Sequence, residues 1–291
     1  MHGAIILDKA EGITSHTAVL RVRRLLGEKS IGHLGTLDPF ATGVLVLLLG
    51  HATRLARFYG SREKAYQGVI RFGFSTDTYD RTGKPASEDR TLSLDPDAIR
   101  DWMRKFLGTQ MQQPPPVSAK KVGGVRAYRL VRRGEAPELA PVPVTLHEWE
   151  MLWLDGQRMG FRARVSSGTY IRSLAHELGE RIGCGAHLEQ LRRTAVGEFT
   201  ESAALQYEQL EECARHGDVP LIAMEKLLPE LAAVTLSSSS LRAAMHGNSI
   251  AAAASSEWIR LLDESGKLIA LAQHEANECY HPVVVFPKES E

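Results

Sequence analysis

Apolar positions along this chain recur in two periods, one of strands and one of helices. The run 44–49 is apolar at every position and closes on Gly50, the pattern of a buried strand. Residues 4–7 predict a second short buried strand. Helical spacing follows, with Ala18, Val19, Val22, Leu25 and Leu26 on one face, Thr14 or Ser15 able to cap it and Gly27 able to end it. The pattern then predicts a helix over 51–59 and a strand over 64–74, with Tyr66, Gly68, Ile70 and Phe72 on one side. Asp95-Pro96 opens a further helix, with Ile99, Met103, Phe106 and Leu107 as its buried stripe and Gly108 as its stop. The stretch 110–116, with three consecutive prolines, is expected to break regular structure. Strands are predicted over 142–154 and 160–166; in the second, Phe161, Ala163 and Val165 alternate with Arg162 and Arg164. Thr169 is expected to cap a helix that buries Ile171, Leu174, Ala175, Leu178 and Ile182. Composition shifts near Pro229. Beyond it, 235–240 reads as a polar linker or cap, 258–272 as a hairpin turning at 264–267, and 282–286 as a last strand.

Length and charge narrow this picture. With 291 residues, 43% of them hydrophobic, the chain is expected to form a large domain, 1–229, and a small one, 230–291. Its formal charge is zero, from 35 basic and 35 acidic residues, yet the charge is segregated. Residues 102–134 hold eight Lys or Arg and no acid, while acids dominate 201–230. An insertion at about 109–143 carries most of the basic stretch, with Tyr128 interleaved, and suits a surface that tracks phosphates. Three dispersed cysteines, Cys184, Cys213 and Cys279, form neither a disulfide framework nor a zinc spacing. No membrane span, signal peptide, Walker lysine, dinucleotide glycine fingerprint or metal-ligand cluster stands out, so a soluble cytoplasmic protein without metal is expected.

The candidate chemistry centres on Asp38. It lies in a loop, 32–43, that holds three glycines and Pro39 and leads into the apolar run. Pro39 drives Asp38 out of helical geometry, and an Asp-Pro pair alone is a common turn former. Arg172 falls in the first turn of its helix, where a cation opposes the helix dipole, so an anionic partner is expected. Taken singly, Tyr66 reads as a core aromatic, Lys9 as a surface lysine, Leu191 as core packing and His33 as a brace for the glycine turn.

Gly32-His-Leu-Gly-Thr-Leu-Asp-Pro-Phe-Ala-Thr-Gly-Val-Leu45 closely resembles the catalytic-aspartate motif of the TruB family of pseudouridine synthases. Further strings carry the resemblance over most of the chain. Asp8-Lys-x-x-Gly-x-Thr-Ser-His16 is similar to the family's first motif, with Ala10 in place of the usual proline. Lys64-x-Tyr66 with 73–78 is similar to the second, and Gly168-Thr-Tyr-Ile-Arg-Ser-Leu174 and 183–194 to later ones. The resemblance implies an α+β fold: a mixed, largely antiparallel sheet flanked by helices, plus a small C-terminal β-barrel-like PUA domain. It implies isomerisation of the uridine at position 55 of the tRNA T-loop, with no cofactor, by a monomer that binds the T-arm. Asp38 is then the nucleophile, attacking uracil or ribose; Arg172 is its ion-pair partner and Tyr66 stacks on the base. His33, Leu191 and Lys9 join the substrate site, Lys9 as support beside it, and Lys120, Lys121, Arg132 and Arg133 meet RNA phosphates. A non-catalytic tRNA-binding or folding protein is the competing reading; it needs the basic stretch and the β unit but neither Asp38 nor Arg172.

Overall fold

The computed structural model describes residues 1–118, 121–122, 125–126 and 139–287. A ten-stranded mixed sheet carries the site. Its main path runs β12 (Ile222–Ala223), β1 (Gly3–Lys9), β3 (Thr42–Leu49), β10 (Ala186–Val196), β4 (Lys64–Phe72), β9 (Arg158–Val165), β8 (Val142–Asp155) and β5 (Gly108–Gln112). β2 (Ile31–His33) pairs with β3, and β11 (Phe199–Thr200) with β10. Every pairing is antiparallel except β10 with β3.

β3 explains why its sequence is apolar throughout. Leu45, Leu47 and Leu49 enter the core on one face, while Val44, Val46 and Leu48 enter a second core on the other. The first core is closed by α1 (Ser15–Leu26), α2 (Pro96–Lys105) and α3 (Ile171–Ile182). α1 has Thr14 as its cap, accepting from the Thr17 amide at 2.9 Å, and ends on Gly27 in the left-handed region. At the parallel crossing, Gly43 has φ +100 and packs directly on the Arg193 backbone, so a side chain there has neither room nor suitable geometry.

The second core joins the sheet to the C-terminal unit. There β13 (Ala232–Thr235), β15 (Trp258–Leu262), β16 (Leu268–His274), β17 (Cys279–Val285) and β14 (Ile250–Ala251) form a curled five-stranded sheet of PUA-like form, beside helix α5 (Ser238–Met245). Leu268, Leu271, Val284 and Phe286 pack in one cluster with Val44, Val46 and Leu48. Trp258 meets Phe58 edge-on at 4.9 Å, and Arg260 donates to the carbonyls of Leu231 and Glu225. Two short strands, β6 (Lys121–Val122) and β7 (Val125–Arg126), form a separate pair, and α4 (Tyr207–Arg215) packs beside α1.

The helix expected over 51–59 is present, as a 3₁₀ helix over 50–59. Several other expectations need correction. Leu107 is exposed: α2 ends at Lys105, and past the helix end the helical period no longer sets which residues are buried. Residues 110–112 belong to β5, paired with β8 before the prolines begin. Thr169 does not cap α3; its hydroxyl donates to the Ser166 carbonyl at 2.9 Å. Gln112 instead clamps Tyr170 ahead of α3, accepting from its amide at 2.8 Å and donating to its carbonyl at 3.0 Å. The hairpin, the last strand and a Ser237 cap on α5 follow the expected pattern.

Candidate active site

Asp38 stands in the loop between β2 and β3, and that loop is held from beneath. Ser15, the first residue of α1, accepts from the Leu37 amide at 2.8 Å and donates to the Leu37 carbonyl at 3.2 Å. Lys9 is fully buried and donates to the carbonyls of Ala10 and Ile13 at 2.8 Å and Pro39 at 3.4 Å. It is therefore no surface lysine, and it braces the loop. Burial lowers its amine to about 8, with Asp38 and Glu11 pulling upward. The Asp38 carbonyl accepts from the Ala41 amide, which closes the turn through Pro39.

Arg172 supplies the charge the sequence requires of it. It projects from the first turn of α3, with only 5% of its side chain exposed. Its Nη2 donates to Asp38 Oδ1 at 3.1 Å, while Nε lies 2.9 Å from Oδ2, in ion-pair contact but out of line for a hydrogen bond. Carbonyls hold the rest of the guanidinium: Thr78 accepts from Nη1 and Val117 from Nη2. On its far side Asp80 Oδ2 stands 3.4 Å from Nη1. Asp80 is the partner missed from the sequence, where 77–83 reads as polar turn. Its Oδ1 accepts from Thr78 Oγ1, the Thr82 amide and Thr82 Oγ1 at 2.6–2.9 Å, so the same atom makes the turn and hides the role. The sequence offered only the expectation that Arg172 has an anionic partner, which Asp38 already met.

The two carboxylates differ in access. Asp38 keeps 35% of its side chain exposed and Asp80 only 5%, so Asp38 is the acid that can meet a substrate. Burial pushes the Asp38 carboxyl above the usual carboxylate range, Arg172 opposes this, and the charge of Asp80 adds to the rise. The contact with Arg172 favours the ionised form needed of a nucleophile.

A cavity of about 310 Å³ opens on Asp38, and Tyr66, Arg172, Leu191, Lys64 and Arg193 line it. Tyr66 and Leu191 thus line the same cavity as Asp38. His33, at the end of β2, is half-buried and is not among the lining residues. Lys120, Arg132 and Arg133 lie outside the described residues, and Lys121 is described by its backbone alone, in β6. A larger cleft of about 560 Å³ is lined by other residues of β4 and β10, among them Gln67 and Gln190, together with Trp153, and shares Leu191 with the first. Its charges are already engaged, Arg81 with Glu11 and Arg192 with Asp8 and Glu201, so the reactive arrangement belongs to the smaller cavity. Among the described residues no group of three or more His, Cys, Asp or Glu is placed to hold a metal ion, and no helix is long and apolar enough to cross a membrane.

The comparisons with known proteins agree with this geometry. A family profile described as TruB family pseudouridylate synthase (N terminal domain) matches residues 23–171, and one described as tRNA pseudouridylate synthase B C-terminal domain matches 172–232. The chain is 44% identical to the tRNA pseudouridine synthase B of Solibacter usitatus, over 98% of this chain and 100% of that protein. It is 41% identical to the protein of the same name from Thermobifida fusca, over 98% of each. Among solved structures, a Cbf5-Nop10-Gar1 complex superposes with a TM-score of 0.74 at 26% identity, covering 98% of this chain and 84% of that one. An H/ACA RNP bound to a substrate RNA containing 2'-deoxyuridine gives 0.73 at 25%, with the same coverage. The chain belongs to the TruB family of pseudouridylate synthases.

Proposed function

We propose that this protein converts uridine to pseudouridine in tRNA, at position 55 of the T-loop, with Asp38 as the nucleophile. The observation that carries the reading is a partly open carboxylate gripped by a buried arginine, at the mouth of a cavity walled by Tyr66 and Leu191. The reaction breaks the bond from the ribose to N1 and forms one to C5; C5 loses a proton and N1 gains one. Nothing is oxidised, so one nucleophile and a proton acceptor suffice. Asp38 attacks the uracil or the ribose, Arg172 aims it, and Tyr66 stacks on the base with its hydroxyl near the proton to be moved. Entry of the base requires flipping, which costs a few kcal/mol and is offset by contacts with Tyr66 and Leu191. His33, at the end of β2, fills the gap left in the RNA. The basic insertion and the PUA-like unit hold the T-arm. The 1–229 and 230–291 division and a monomeric state complete the proposal.

The test is conversion of a tRNA transcript by wild-type protein, mapped by site. Pseudouridine at position 55 alone supports the reading. Tight binding without conversion favours a tRNA-binding or folding protein instead.

A further inference from the structure

The Asp38 cavity contains two cations that the isomerisation leaves unused. Lys64 opens β4, two residues before Tyr66, and its Nζ donates to the Arg62 carbonyl at 3.2 Å and to Ser167 Oγ at 3.0 Å. Arg193, in β10, is paired with Tyr66 across the sheet and is fully buried. Its Nε donates to the Val44 carbonyl and its Nη2 to the Gly35 carbonyl, but its buried Nη1 has no partner. Gly35 brings the two together: a Cβ there would lie 3.2 Å from Lys64 Cε and 3.4 Å from Arg193 Nη1. Neither cation is ion-paired to an acid among the described residues. Burial, then the nearby Arg193, lowers the Lys64 amine to about 8. Two adjacent cations, one with an orphaned buried donor, form an arrangement that an anion relieves.

The cavity wall beside them is the Ser167–Gly168–Thr169 turn that leads into the twelve-residue helix α3. Space is open against Gly168, with no atom within 4 Å of where its Cβ would stand. A helix N-terminus adds partial positive charge at this end. Uracil is neutral and leaves these groups unsatisfied. The anion that an RNA strand brings is its phosphodiester.

We propose that Lys64, Arg193 and the 167–169 turn form a subsite for one RNA phosphate, a linkage adjoining the flipped nucleotide. This rests on the reading of an RNA uridine as substrate. The subsite fixes the ribose end of that nucleotide while Tyr66 holds the base, so Asp38 faces the glycosidic bond. Its residues lie outside the basic insertion in sequence.

The experiment is a cycle between protein and RNA. T-arm RNAs carrying one neutral methylphosphonate, at the linkage 5′ or 3′ of the target uridine, are bound to wild type, Lys64→Gln and Lys64→Arg. One of the two neutral linkages is expected to weaken wild-type and Lys64→Arg binding by about tenfold, and Lys64→Gln binding by less than about twofold. Equal weakening in all three proteins, or none in wild type, overturns the subsite. Conversion of the unmodified RNA is read separately. Its absence in wild type contradicts the functional reading, whereas unequal weakening of binding still reports the phosphate contact.

Discussion

Arg172 holds Asp38 at 2.9 and 3.1 Å on one side and faces Asp80 at 3.4 Å on the other, so one guanidinium orients the partly exposed acid and is itself held by a buried one. Such positioning depends on a planar, forked donor set. Arg172→Lys keeps the charge and loses the fork. It is expected to lower the single-turnover rate by roughly 100-fold or more while tRNA binding stays within a few fold. A near-normal rate would show that charge alone suffices.

Asp80→Asn tests the same cluster by pH. Burial and the Asp80 charge both raise the Asp38 pKa, and the proposed chemistry needs Asp38 ionised. Removing the Asp80 charge therefore lowers the Asp38 pKa, and the acid limb of the kcat/KM profile moves to lower pH. Asparagine retains an oxygen for the Thr78 and Thr82 bonds, so the turn survives. An acid limb that stays fixed or moves up contradicts the assignment.

The C-terminal unit shares a core with the sheet. Phe286→Ala, at 3% exposure, should cost about 3 kcal/mol, a fall in Tm of several degrees. Calorimetry should show one transition moving as a whole, because Phe286 packs with β3. Two separating transitions would mark the units as independent. A chain cut after Pro229 is expected to stay folded but to bind a hydrophobic dye, since the cut uncovers the apolar patch around Val46 and Leu48.

How far the sequence alone reached can be traced residue by residue. Asp38, Arg172, Tyr66 and Leu191 were legible because long contiguous motifs carry them and one cavity gathers them. β3 was legible because burial on both faces leaves no polar position. Asp80 was not, since an acid among threonines in a turn looks the same whether or not an arginine 92 residues later reaches it. Arg193 is one of two adjacent arginines in the sequence, with nothing there to mark it as buried; in the fold it lies at the parallel crossing with Gly43 and is fully buried. Thr169 failed as a cap because Gln112, distant in sequence, holds the residue before the helix.

The basic stretch is tested by salt. Replacing Lys120, Lys121, Arg132 and Arg133 with alanine should flatten the dependence of tRNA affinity on salt, by about one unit of log–log slope for each phosphate that is no longer neutralised. An unchanged slope removes these residues from the RNA interface.

The most direct measurement concerns Asp38→Asn, assayed for pseudouridine at position 55 of a T-loop transcript in EDTA. Asparagine serves a turn nearly as well as aspartate but is a far weaker nucleophile. Wild type is expected to convert the site fully, and the variant to fold and bind tRNA yet form no product over the same period. Product formation by Asp38→Asn at a rate near that of wild type would contradict the account.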